Sequence, residues 1–195
     1  MREILRVCVF SGSSTGRDPA HRDVAVGLAR LLAEEGISVV YGGGSIGLMG
    51  LLADEVLARG GEVEGVLPAG LFEREIAHEG LTRMHVVATM HERKALMYDL
   101  SDGFITLPGG LGTLDELLEI TTWGQLGLHD KPIGLLDGNG FFTDLLRFLD
   151  HAVDERFIRP EHRSRLLHDD DPARLLTRMR EFTPPPRTPK WIEDE

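Results

Sequence analysis

Apolar residues along the chain fall into two alternating patterns. Short β-branched runs occupy residues 4–10 (ILRVCVF), 37–41 (ISVVY), 62–67 (EVEGVL), 83–87 (RMHVV), 103–107 (GFITL) and 132–136 (PIGLL). Between them, at 20–35, 47–59, 91–100, 113–126 and 141–155, apolar residues recur three and four apart, the period of a helix with one buried face. Strands that alternate with amphipathic helices predict an α/β fold with a parallel sheet and helices on both faces. Asp18-Pro19 reads as a helix start, with Asp as cap and Pro in the first turn, and DDDPARLLTRMREF repeats the signal before a last helix. The final segment, TPPPRTPKWIEDE, is too rich in proline and charge to pack. The expected organisation is one domain over 1–183 and a proline-rich tail over 184–195, with no internal repeat.

Composition narrows the partners. A net charge of -11 argues against a phosphate-backbone partner, because nucleic-acid binders usually carry a basic face. A small anion remains compatible, since local backbone amides outweigh net charge at short range. No run approaches the roughly 18 apolar residues of a membrane span, so a soluble chain without a membrane partner is expected. The single cysteine, Cys8, lies in an apolar run and suits a reducing cytoplasm, where it reads as packing and not as a nucleophile.

Two glycine-rich loops carry the candidate chemistry. The first, Gly42 to Gly50 (GGGSIGLMG), follows a predicted strand and opens a helix. Glycines permit positive φ and close backbone approach, so Gly43, Gly44 and Gly47 are candidate anion contacts. A dinucleotide site would also want an acidic residue at the end of the next strand, and that place reads Val66-Leu67-Pro68. The second loop runs from Pro108 through Gly109, Gly110, Leu111, Gly112, Thr113, Leu114 and Asp115 to Glu116. It is again strand, glycine loop, helix, with backbone amides at Gly110 to Thr113 and the Thr113 hydroxyl forming an anion nest, and Glu116 expected in the helix's first turn. The helix opening with Met90-His91-Glu92-Arg93-Lys94 is expected in the same crevice.

At these residues the chain resembles the cytokinin riboside 5'-monophosphate phosphoribohydrolases, the "Lonely guy" family. The pattern P-G-G-x-G-T-x-x-E is met by Pro108 through Glu116, and Met-x-x-Arg-Lys by Met90, Arg93 and Lys94. VFSGSS at 9–14, GGGSIGLMG at 42–50 and GQLGLHDKPIGLL at 124–136 are similar too, so that the resemblance spans roughly 5–182. It implies a Rossmann-like, doubly wound fold, a homodimer with active sites near the subunit interface, and hydrolysis of an N6-substituted adenosine 5'-monophosphate to base and ribose 5-phosphate. It also implies catalytic roles for Arg93 and Glu116 and substrate contacts at Glu75, Met90, Lys94, the loop from Gly109 to Glu116, and Thr122. Ser13 and the first glycine loop are carried over near phosphate or ribose. Leu111 stands at the motif's variable position.

Cleaving a ribosyl C–N bond builds positive charge on the sugar, which calls for a nearby carboxylate and a positioned water. Glu116 is the candidate for both tasks. Arg93 either orients Glu116 or holds ribose or phosphate, and the leaving base takes its proton or hydrogen bond from Asp115, Glu75 or water. His78, His85, His91 and His129 lack metal-ligand spacing, and neither metal nor cofactor is expected. A pyridoxal enzyme would need a Schiff-base lysine; of Lys94, Lys131 and Lys190, the first suits an anion contact, the second a structural role, and the third lies in the tail. The rival readings are a non-catalytic nucleotide carrier, similar to molybdenum-cofactor carriers, and an interaction module using the proline-rich end.

Overall fold

The computed structural model describes residues 2–72 and 77–186. Seven strands form one parallel sheet: β1 (Arg6–Phe10), β2 (Ser38–Tyr41), β3 (Val63–Pro68), β4 (Arg83–Val87), β5 (Gly103–Thr106), β6 (Ile133–Leu136) and β7 (Leu166–Asp169), in the order β4-β3-β2-β1-β5-β6-β7. The helices are α1 (Ala20–Glu34), α2 (Gly47–Ala58), α3 (Ala69–Phe72), α4 (Met90–Asp99), α5 (Leu111–Gln125), α6 (Thr143–Asp154), α7 (Pro160–Arg163) and α8 (Pro172–Glu181). This is the Rossmann-like, doubly wound α/β fold that the pattern and the resemblance imply.

Side-chain alternation along the strands builds two cores. Val7 and Val9 of β1, Val39 and Tyr41 of β2 and Ile105 of β5 pack with Leu28 and Leu32 of α1, Leu52 of α2 and Leu175 of α8. Cys8, Phe10, Val40, Phe104 and Leu135 point the other way, onto Met97 of α4, Leu117 and Ile120 of α5 and Leu149 of α6. Near-continuous apolar strands follow from burial on both faces. Cys8 is fully buried, and burial pushes its thiol well up, which leaves it inert.

Helix starts follow the expected chemistry with shifts in register. Asp18 Oδ1 accepts the Ala20 N–H at 2.9 Å, and Asp171 Oδ1 accepts the Arg174 N–H at 2.8 Å. Thr89 caps α4, accepting the Glu92 N–H at 3.1 Å, while Glu92 reaches back to the Ala88 N–H at 2.9 Å. Three readings are corrected. Helix α5 begins at Leu111 and not at 113, because extended Gly110 acts as its N-cap and accepts the Leu114 N–H at 3.1 Å. Glu116 is therefore the sixth helical residue, one turn beyond the expected position. Helix α6 begins at Thr143 and not at 141, because buried Asp137 accepts the N–H groups of Gly140 and Phe142, both at 2.8 Å, and holds 137–142 as a turn. Strand β7 and the short helices α3 and α7 are additional to the expected elements. Residues 184–186 of the tail carry no regular structure, and 187–195 lie outside the described residues.

Candidate active site

The strand order reverses between β1 and β5, and in an open parallel sheet the crevice at the carboxyl ends of such a pair is where ligands bind. Two loops fill it and touch closely. The Gly12 N–H donates to the Pro108 carbonyl at 3.0 Å, and a Cβ on Gly12 would stand 3.1 Å from the Gly109 Cα. A Cβ on Gly109 would meet Thr113 Oγ1 at 2.2 Å, so Thr113, which is buried, turns its hydroxyl toward this backbone contact. Gly110 and Gly112 have open space around them, which leaves the first turn of α5 uncovered there. That turn carries N–H groups with no partner inside the helix and the positive end of its dipole.

One turn further along α5, Glu116 faces Arg93 of α4, with Oε1 and Nη1 3.6 Å apart and side chains 14% and 13% exposed. Arg93 is held from three sides: Nε donates to the Val66 carbonyl at 3.1 Å, Nη1 lies 4.0 Å from the Met90 sulfur, and a Cβ on Gly42 would stand 2.0 Å from Nη2. Gly42 thus has no side chain because the guanidinium occupies that space. Lys94 pairs with Asp115 at 2.7 Å and with Glu119 at 3.1 Å, so consecutive basic residues of α4 grip three carboxylates of α5. Burial pushes the Glu116 carboxyl above the usual glutamate range, against the pull of the Arg93 and Lys94 charges and with a push from Asp115 and Glu119. A desolvated carboxylate of this kind takes up a proton more readily than an exposed one, and it stabilises a neighbouring cation strongly.

The rest of the first glycine loop is built into the fold. The Gly43 carbonyl accepts the His78 N–H at 3.0 Å, and the Gly44 carbonyl accepts the Tyr41 hydroxyl at 3.1 Å. Gly47, at φ +66°, packs on the Ser13 backbone, where a Cβ would be 2.2 Å from the carbonyl carbon. Ser13 is exposed on a cavity of about 230 Å³ whose walls include Thr15, His21, Gly110 and Phe141. Met90, Leu111, Gly112 and Asp115 are exposed, and Leu114 packs partly into the core. Thr122 is exposed six residues beyond Glu116, with its hydroxyl bonded to the Leu118 carbonyl at 2.8 Å, so it is not brought beside the Arg93 pair. Glu75 lies outside the described residues.

Sequence reasoning missed Gly42 as the seat of Arg93, Glu119 as the second partner of Lys94, and His21 in the cavity wall. Glu119 was open to discovery from its place one turn after Asp115. The other two depend on tertiary contacts that no local pattern records. Two lysines of the rival reading are tied up: Lys94 holds the α5 carboxylates, and Lys131 Nζ donates to the Tyr98 carbonyl at 2.7 Å and stands 3.9 Å from the Tyr98 ring centroid, while Lys190 lies outside the described residues. No helix among the described residues is long and apolar enough to cross a membrane.

A family model described as "Possible lysine decarboxylase" matches residues 49–179. A protein of Oryza sativa subsp. japonica named "Probable cytokinin riboside 5'-monophosphate phosphoribohydrolase" is 49% identical over 181 residues, 93% of this chain and 74% of its own length. A cytokinin riboside 5'-monophosphate phosphoribohydrolase of Arabidopsis thaliana is 48% identical over 179 residues, 92% of this chain and 83% of its own. Among solved structures, the molybdenum cofactor binding protein of Rippkaea orientalis superposes with a TM-score of 0.66 at 20% identity, covering 91% of this chain and 95% of its own. The molybdenum cofactor carrier protein of Chlamydomonas reinhardtii gives 0.67 at 17% identity, covering 90% and 96%. At such identities these two likenesses concern the fold alone.

Proposed function

Because the chain belongs to the cytokinin riboside 5'-monophosphate phosphoribohydrolase family, we propose that it hydrolyses an adenosine 5'-monophosphate, N6-substituted or plain, to the free base and ribose 5-phosphate. The observation that carries this reading is the Arg93–Glu116 pair, largely buried and one helical turn from the uncovered start of α5. The 5'-phosphate sits against the first-turn amides at Gly110 and Gly112, with Ser13 on the opposite wall of the crevice. The ribose lies between phosphate and Glu116. As the C–N bond breaks, the Glu116 carboxylate stabilises the cationic sugar and accepts a proton from the attacking water, whose oxygen becomes the anomeric hydroxyl. The water's other hydrogen stays on that hydroxyl, and the base departs with a proton supplied by Asp115, Glu75 or solvent. Arg93, fixed on Val66 and Gly42, orients Glu116 and favours its ionised form.

The same reading makes residues 1–183 the catalytic unit, with the proline-rich end from 184 outside it. It also assigns a cytoplasmic nucleotide-binding enzyme acting as a homodimer. Leu111 is 87% exposed, and Leu118, Leu126 and Leu128 on and after α5 are exposed as well, an apolar surface suited to a second copy.

Chromatography after incubation with AMP, N6-isopentenyladenosine 5'-monophosphate and the two nucleosides tests the activity, with Glu116→Ala as control. Base released from the monophosphates alone, and lost in the variant, is the expected result. Intact nucleotides that nevertheless remain bound would make the protein a carrier and withdraw both catalytic assignments.

A further inference from the structure

The cavity beside the α5 start has one wall that the hydrolytic reading leaves unused. His21, on the first turn of α1, is 8% exposed and lines the cavity with Ser13, Ser14, Thr15 and Gly16. Its Nδ1 is buried with no hydrogen-bond partner among the described residues. The ring is held in place by packing: a Cβ on Gly16, itself cavity wall at φ +72°, would stand 2.6 Å from Cδ2 and 3.4 Å from Nε2, and the Phe141 ring meets the imidazole edge-on at 5.5 Å. A buried N–H without an acceptor is costlier than a buried lone pair, so the proton belongs on Nε2, at the edge beside Gly16. Asp18, the carboxylate in electrostatic contact with His21, is engaged by the Ala20 N–H and by Asn139 Nδ2. A fixed imidazole donor, three neighbouring residues with hydroxyls and the uncovered α5 amides at Gly110 thus converge on one cavity of about 230 Å³. That volume is below the 300–1,000 Å³ or so of sites that take a whole drug-sized ligand, and suits a phosphate monoester with part of its sugar.

We propose that His21 is a specificity-determining residue of this site, donating from Nε2 to the 5'-phosphate and so separating nucleoside monophosphates from nucleosides. The proposal rests on the reading of the crevice as the substrate site, with the phosphate at the start of α5. His21 takes no part in the bond-breaking step. It shares with Gly12, Gly109 and Gly110 a cavity whose walls do not include Glu116, and acts on the affinity for the phosphorylated substrate.

The test combines calorimetric binding of ribose 5-phosphate, with ribose as control, and steady-state kinetics on AMP. His21→Phe keeps a ring against Gly16 and Phe141 but removes the donor; His21→Gln keeps a donor at comparable reach. Loss of one charge-assisted hydrogen bond predicts that Phe weakens ribose 5-phosphate binding about tenfold and raises KM for AMP by a similar factor, with kcat within about twofold. Gln should recover part of the affinity, and the weak response to ribose should be the same in all forms. Ribose 5-phosphate affinity unchanged by Phe, or weakened equally by Phe and Gln, overturns the proposal. Should the variants not fold, the His21 ring nitrogen resonances of the unaltered protein decide: they shift on adding ribose 5-phosphate if the contact exists, and an unmoved signal refutes it. The hydrolytic reading fails separately. His21-dependent binding with no base released would sink the hydrolase and keep this proposal, whereas base release with binding indifferent to His21 would do the opposite.

Discussion

Gly42→Ala tests the arrangement of Arg93 without touching either member of the ion pair. The added methyl would stand 2.0 Å from Arg93 Nη2, against the 3.4 Å at which ordinary contact begins, so the guanidinium must withdraw by about 1.4 Å. Gly42 itself has an ordinary φ, so the backbone accepts alanine and the flexible side chain gives way. Withdrawal stretches the 3.6 Å pair with Glu116 and breaks the 3.1 Å bond from Nε to the Val66 carbonyl. A misplacement of about 1 Å in a catalytic group costs on the order of 10²-fold in rate, which is about 2.7 kcal/mol of barrier. The stability loss is smaller, about 1–2 kcal/mol for one charge-assisted hydrogen bond, because the freed guanidinium is rehydrated. The assay is kcat for base release beside a thermal unfolding curve, with Gly27→Ala on α1 as the control whose new methyl meets only Pro172 Cγ at 3.8 Å. A Gly42→Ala enzyme with the original kcat would refute the claim that the guanidinium must occupy that space.

Three further expectations use the same measurements. Glu116→Gln should abolish base release and raise thermal stability at neutral pH; because burial raises the Glu116 carboxyl in the folded state, its stabilising protonated form is present below the unfolded glutamate range, about pH 4.3, and is lost as pH rises through the folded value, so the variant's advantage should be larger at pH 8 than at pH 4. An advantage independent of pH would contradict it. Lys94→Ala removes one of the two cations that favour ionised Glu116, so the acidic limb of the kcat profile should move to higher pH, and an unmoved limb would show that Lys94 does not act on Glu116. Lys131→Met should lower stability by about 1–2 kcal/mol through loss of the Tyr98 contacts while leaving kcat within about twofold; loss of activity at full stability would reopen a chemical role for this lysine.

Periodicity made six of the seven strands legible, together with the two-sided helix cover, because strands buried on both faces must be apolar throughout. Strand β7 escaped: LLHD carries only two apolar residues, and as an edge strand it pairs on one side, so its sequence is under a weaker constraint. The P-G-G-x-G-T-x-x-E segment located the second loop correctly, but its glycines read as coil where the chain is helical from Leu111. Gly112 is tolerated inside the first turn because nothing packs there, and this openness is invisible in the letters. The first glycine loop misled in another way. Its glycines looked alike, whereas Gly42 receives Arg93, Gly47 receives the Ser13 backbone, and both demands come from residues at least 30 positions away.

The strand order also determines when during folding the enzyme becomes an enzyme. Arg93 follows β4, at one edge of the sheet, and Glu116 follows β5, in the middle beside β1, so α4 carries the chain back across β3, β2 and β1 before the carboxylate-bearing helix α5 can form its contacts. A folding intermediate made of β1 to β4 alone would have native strand pairing and no ion pair. Non-local pairings of this kind close late and slowly, because the loop entropy is lost before the contact is gained. Recovery of base release during refolding should therefore lag behind the far-ultraviolet signal of the early strands and helices, and activity becomes a clock for the insertion of β5.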